Sequence, residues 1–401
     1  MQTTFFKTED IELTYRPQQS SRPGISLLIN KIHSPYFKKS FNAALTCSEA
    51  IYNIQTLQCT NGALHISYPG LEAIVASLIF NINFLDYSGG LTLNADTRWG
   101  KVKADFSVTE NHVWRLDFNT EDLHLTRLSY LLESLLEIFK GHVITSGEAN
   151  IQAKLGGFNY KIDEVTMNAG LTELSIEGES VLENVELQLQ TTLKRSNAGW
   201  SFQNLIRLIN GEMYVQPGFS ILGEKPGFYI ESSTDPNVVN LEGSWHPEQN
   251  LLELRDFYYL HPGIFQLQGS GRIILEEELL ISDLTLHASI QDLGKSYPIY
   301  LQPILLQTNF SDLELSGTID LNLEYKNREL NRMELIMDEV FLDDIESRFS
   351  ISDLNTHLFL DSEPEAVQST LDWAGMSFYQ LDFGSGDIVF ESTGKHIRVL
   401  N

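Results

Sequence analysis

Alternation of apolar and polar side chains with a period of two residues runs through most of this chain and sets what it can fold into. SGTIDLNLEYKNREL (316–330) is representative. Ile319, Leu321, Leu323 and Tyr325 fall on one side, and Asp320, Asn322 and Glu324 on the other, the pattern of a strand with one wet face. The same period returns in GLTLNADTRW (90–99), EANIQAKL (148–155), YKIDEVTM (160–167), VELQLQTTL (185–193) and LNRMELIMDEV (330–340). Turn residues such as Gly156-Gly157, Asn197-Ala198-Gly199 and Pro262-Gly263 separate these stretches. Regular strands joined by short turns describe an antiparallel meander of roughly 20 to 25 strands. Gly90, Gly147, Gly211, Gly243, Gly271 and Gly317 each begin an alternating stretch, at unequal spacings that exclude a fixed-period solenoid or propeller. Phe202–Asn210 fits a strand and a short helix equally.

So many strands need something to cover their apolar face. Twenty of them side by side would extend about 95 Å, and open twisted sheets rarely exceed about 10 strands without curling or splitting. The expected fold is therefore mainly β: a long curled antiparallel sheet, folded over into a taco-like trough, with tandem β-sandwiches as the alternative. In a trough, Ile319, Leu321, Leu323, Tyr325, Met333, Leu335 and Met337 line the interior. Lipid acyl chains are the natural filler, because each buried CH₂ contributes about 0.8 kcal/mol. A sandwich needs no ligand.

One segment breaks the period. LSYLLESLLEIFKG (128–141) places Leu128, Leu131, Leu132, Leu135, Leu136 and Phe139 on one helical face and ends at a capping glycine, Gly141. It predicts an amphipathic helix packed on the sheet. Its polar face lacks the Lys/Arg cluster of a membrane-surface helix.

The net charge of -27 repels nucleic acid and argues against binding it. That charge is uneven. Residues 1–120 hold 10 Lys/Arg and 10 Asp/Glu, so all of the excess lies in 121–401. We therefore divide the chain into a charge-neutral β-rich segment (1–120), a helix segment (121–145) and an acidic sheet region (146–401). The longest apolar run, LEAIVASLIFNINFL (71–85), falls short of the roughly 20 residues of a membrane span. MQTTFFKTEDIELTY carries charges where a signal peptide has its apolar core. The expectation is a cytosolic protein or a piece without its targeting segment. Cys47 and Cys59 lie near the ends of adjacent strand patterns, where a disulfide and two buried thiols both fit; their spacing matches no CxxC motif.

No catalytic constellation emerges, and no metal or cofactor is expected. The ten His are scattered without HxH or HxxxH spacing, and no GxSxG, P-loop, GxGxxG or EF-hand loop is present. Glu276-Glu277-Glu278 reads as a hairpin tip, and Asp343-Asp344 as part of a solvated acidic face. A carboxylate pair for glycoside hydrolysis is the less favoured alternative.

TEDLHLTRLSYLLESLLEIFKGHVITSGEANIQAKLGG (120–157) resembles the AsmA-like proteins of Gram-negative bacteria. So do NLEGSWHPEQNLLELRDFYYLHPGIFQLQGSGRIIL (240–275), the pair of strands over 316–360, and LDWAGMSFYQLDFGSGDIVF (371–390). The likeness is to members of the YdbH, YhdP and TamB type and extends over about 85–390. It implies a folded-over sheet with a hydrophobic groove, a periplasmic or cell-envelope location, and no enzymatic activity. Phospholipid acyl chains are the implied ligand, and an inner-membrane anchor or envelope protein the implied partner. The chain departs from that family in lacking an N-terminal anchor helix and in being short for a bridge across the periplasm.

Overall fold

The computed structural model describes residues 7–16, 24–33, 40–69, 73–129, 141–159, 161–216, 226–232, 235–275, 279–306, 308–362, 367–379, 381–393 and 396–400. The fold is mainly β and antiparallel throughout its described pairings. It divides into two compact units: Met1–Glu179 with Glu183–Arg195, and Ser180–Leu182 with Ser196–Asn401.

The first unit contains β1 (Lys7–Arg16), β2 (Gly24–His33), β3 (Phe41–Cys47), β4 (Ala50–Tyr52), β5 (Thr56–Ser67), β6 (Ile74–Asn83), β7 (Gly89–Thr97), β8 (Gly100–Val108), β9 (Val113–Glu121), β10 (Leu123–His124), β11 (Val143–Phe158) and β12 (Lys161–Glu177), followed by most of β13 (Val181–Ser196). Pairing runs in the order β1, β2, β3, β5, β6, β7, β8, β9, β11, β12, with β4 added on β5 and β10 on β11. Strand β9 crosses residue 120 and pairs on both sides, so the charge boundary there is not a boundary of the sheet. A hydrophobic core of this unit joins Cys47, Ala50, Cys59, Leu78 and Phe80, with Leu45, Leu57, Leu91 and Leu93 packed around them. Strict alternation along β6 places Ala76, Leu78 and Phe80 inside and Val75, Ser77 and Ile79 outside.

The second unit contains β14 (Gly199–Val215), β15 (Phe228–Ser232), β16 (Asn237–His246), β17 (Leu251–His261), β18 (Phe265–Leu275), β19 (Leu279–Ile290), β20 (Leu313–Lys326), β21 (Glu329–Asp344), β22 (Phe349–Asp361), β23 (Val367–Trp373), β24 (Gly375–Phe378), β25 (Leu381–Phe383), β26 (Gly386–Thr393) and β27 (His396–Val399). Strand β14 pairs with β16 over its first half and with β15 over its end, and the meander then continues to β22. There it forks, β22 pairing with β23 through 355–357 and with β24 through 349–352. The 202–210 segment, open between helix and strand in the sequence, lies inside β14.

The strand-opening glycines take a different role from the one expected. Gly147, Gly211, Gly243, Gly271 and Gly317 sit inside strands rather than at their starts. At Gly317 the backbone has φ +105°, and a Cβ there would lie 2.7 Å from the Glu339 carbonyl oxygen. The register between β20 and β21 shifts at this point, opposite Glu339, whose own φ is 48°. Gly317 therefore permits a bulge that keeps one long strand paired.

Residues 125–129 are helical. The remainder of the predicted amphipathic helix, 130–140, lies outside the described residues, as does the Glu276–Glu278 tip. A helical stretch that the alternation did not predict follows β19: Leu293–Ser296, a π-turn at Tyr297–Leu301, and Gln302–Leu305. Asp292 caps it by accepting from the Lys295 backbone N–H at 3.0 Å. No helix among the described residues is long and apolar enough to cross a membrane.

Candidate functional site: an extended apolar face

Residues directly opposite each other in an antiparallel ladder share a face, so the register assigns each side chain to one side of the sheet. Ile319 faces Met337, Leu321 faces Leu335, and Leu323 faces Met333. Tyr325 joins the same side through Leu284 on β19. All seven predicted trough residues thus lie together. The sequence reading missed how far this surface extends. One row runs Ile206, Val239, Tyr259, Leu267, Ala288, Leu321, Leu335, Leu358, across eight strands from β14 to β22. At about 4.8 Å per strand the row measures about 34 Å. The next row passes through Leu241, Phe257, Gly269, Leu286, Leu323, Met333 and Leu360. The Phe257 ring lies over Gly269, where an added Cβ would come within 2.8 Å of it.

Every residue of the eight-strand row is half-buried. Among the described residues of the second unit, the buried hydrophobic side chains are only Leu208, Leu293, Tyr297 and Val340. Two packed layers of this size would bury several times as many.

The helical segment covers one end of the face. Tyr300 packs on Phe265 at 5.0 Å between ring centres. Its hydroxyl lies 2.5 Å from that of Tyr259 and 2.8 Å from His261 Nδ1. A consistent proton arrangement has Tyr259 donating to Tyr300 and Tyr300 donating to neutral His261. Burial pushes both phenols above their usual range and His261 below its own. The segment itself is held by buried Leu293 and Tyr297 and by the Tyr297 hydroxyl, which donates to the Phe310 carbonyl.

The opposite face is hydrophilic. His287 Nδ1–H donates to Asn322 Oδ1 at 2.7 Å, and His357 Nε2–H donates to Glu334 Oε1 at 2.9 Å. A hollow of about 490 Å³ on this side is lined by Arg255, Asp256, Gln268, Thr285, His287 and Arg332, among others. Its arginines are already engaged: Arg255 with Glu242, and Arg332 over the Phe359 ring.

Two further sequence readings are resolved. Asp344 is not a solvated acid. Its side chain is fully buried and takes two hydrogen bonds of 2.7 Å from the Arg348 guanidinium, which also donates to the Asn309 carbonyl. The Arg348 side chain holds the Asp344 carboxyl down to about 2. Cys47 and Cys59 are joined in a disulfide. No group of three or more His, Cys, Asp or Glu that could hold a metal ion occurs among the described residues. Comparison of the chain with protein-family models, with curated proteins and with solved structures finds no match.

Proposed function

We propose that the apolar face of the second unit holds lipid acyl chains, and that the protein binds or conducts phospholipid without catalysing a reaction. The observation that carries this reading is the mismatch between the long apolar rows and the four buried hydrophobic residues found among the described residues of the second unit. Each half-buried Leu or Ile of these rows still leaves part of its surface in water and forfeits up to about 1 kcal/mol of the gain from full burial. An apolar surface of this extent is a standing binding site. One leaflet's acyl chain spans about 15 Å, half the hydrocarbon core, so a row of eight strands accommodates it with room to spare. A 16-carbon chain laid there gains up to roughly 12 kcal/mol before the costs of ordering it.

The resemblance of 85–390 to AsmA-like proteins supports the same reading and, with it, a location in the periplasm or cell envelope of a Gram-negative bacterium. There the lipid would move between the inner and outer membranes, with an envelope protein or membrane anchor as partner. The buried Cys47–Cys59 disulfide supports an oxidising compartment.

The test is direct. The protein is purified from a Gram-negative host without detergent, extracted with organic solvent and analysed for lipid by mass spectrometry. Phospholipid near one molecule per chain or above is expected. Lipid no higher than in a matched β-sandwich control defeats the proposal and leaves a dry structural protein as the better reading.

A further inference from the structure

The first unit carries a second apolar feature of a different kind. The loop between β4 and β5 and the loop between β6 and β7 lie side by side. Thr56 pairs with Asn83, and the Phe84 backbone N–H donates to the Gln55 carbonyl at 2.7 Å. Together the two tips present Ile51, Tyr52, Ile54, Phe84, Leu85 and Tyr87, with exposures from 43% at Phe84 to 86% at Ile54. Six large apolar side chains on two adjacent tips are unusual for a surface in water.

Side chains of these tips bond the turns' own backbone and one another. Asn53 Oδ1 accepts from the backbone N–H groups of Gln55 and Thr56 at 2.8 and 2.7 Å. Asn83 Oδ1 accepts from Leu85 N–H at 3.0 Å, while its amide donates to Asp86. Asp86 Oδ1 accepts from both the backbone N–H and the hydroxyl of Ser88. The turns thus satisfy much of their own backbone, which lowers the cost of placing them where water is scarce.

Charge selects the partner. No Lys or Arg occurs between Lys39 and Arg98, and the acids in that stretch are Glu49, Glu72, Asp86 and Asp96. A polybasic attraction to anionic lipid is therefore absent. What remains is apolar insertion with Tyr at the level of the headgroups, where amphipathic aromatic rings are favoured. Beneath the tips the sheet is cross-linked and packed. Ala50 pairs with Cys59, which is bridged to Cys47 and packed on Leu78 and Phe80. The row Tyr52, Leu57, Ile82 links the tips to the apolar side of the first unit's sheet.

We propose that the paired tips at 51–55 and 83–87 dock this protein on the surface of a lipid bilayer, by shallow insertion of Ile54, Leu85 and their aromatic neighbours and without dependence on anionic headgroups. This goes beyond the holding of lipid and does not require it. Flotation with phosphatidylcholine–phosphatidylethanolamine vesicles tests it, using the full chain. The wild-type protein is expected to float with the vesicles, equally at low and high salt, and no better when phosphatidylglycerol is added. Ile54→Asp with Leu85→Asp is expected to lower the bound fraction roughly tenfold or more. A Leu85→Trp variant provides a second readout: its added fluorescence should be quenched by lipids brominated on the acyl chain. Failure of the wild type to float overturns the proposal, as does equal flotation of the double variant, or binding that high salt abolishes. Self-association that the double variant loses, without flotation, assigns the tips to a second copy of the chain and overturns it too. Co-purified lipid is read separately, so loss of docking and loss of lipid holding are distinguishable.

Discussion

Replacing Leu321 with Asp gives the sharpest test of the apolar face. Leu321 stands in the middle of the eight-strand row, between Ala288 and Leu335, and is half-buried. The part of it still open to solvent is what an acyl chain would cover, at most about a third of a leucine's full 1.5–3 kcal/mol, or up to roughly 1 kcal/mol. A carboxylate at that position must also lose water against hydrocarbon, which costs a further 2 kcal/mol at least. Together these predict a loss of about 3 kcal/mol in lipid affinity, on the order of a hundredfold. The fold should feel less, because Leu321 is only half-buried and the cross-strand pairs it gives up are worth about 0.2–1 kcal/mol each. Leu335→Asp should behave alike. Asn322→Asp is the control, since Asn322 faces the other way, toward His287 and Glu334. The assay is the ratio of lipid to protein after solvent extraction, with a thermal melt for each variant. Folded Leu321→Asp and Leu335→Asp proteins that keep the wild-type ratio refute the reasoning.

Other consequences follow from named contacts. Reducing the Cys47–Cys59 disulfide, which spans a sequence separation of 12, should cost about 3 kcal/mol by loop entropy; an unchanged melting temperature on adding reductant contradicts this. The Asp344 carboxyl is lowered from 3.8 to about 2. It therefore supports the fold fully above pH 4, and its contribution fades as pH falls through 2, where the folded state must also take up the proton. The melting temperature of Asp344→Asn should lie several degrees below wild type at pH 7 and converge with it in acid; parallel curves exclude the pairing as the source. Tyr300→Phe removes the hydroxyl between Tyr259 and His261 and should loosen the helical segment by about 1 kcal/mol, seen as faster hydrogen exchange at 293–305. In the wild-type protein His261 should titrate below 6.5, because burial opposes its charge. The unfolded chain then binds the proton more readily, so this residue weakens the fold as pH drops below that value; a titration midpoint above 6.5 refutes the buried arrangement.

The two-residue period alone carried most of the architecture. Which side chains share a face is a local property of an extended backbone, so Ile319, Leu321 and Leu323 could be assigned together before any partner strand was known. The charge asymmetry and the absence of catalytic spacing were equally legible, since both are read along the chain. Everything that depends on a partner distant in sequence was not. Gly317 looked like the start of a strand, but its φ and the opposing Glu339 make it a bulge inside one. Asp344 looked like one acid among many until Arg348 and Asn309 closed around it. The stretch from Leu293 to Leu305 carries neither alternation nor a clean helical stripe, and it is helical because Leu293 and Tyr297 find a buried site at the end of the sheet. The tips at 51–55 and 83–87 were two unremarked turns in sequence; only pairing between β5 and β6 brings them together. Local periodicity determined the strands and their faces, whereas burial, bulges and neighbouring loops came from non-local pairing that no period of two encodes.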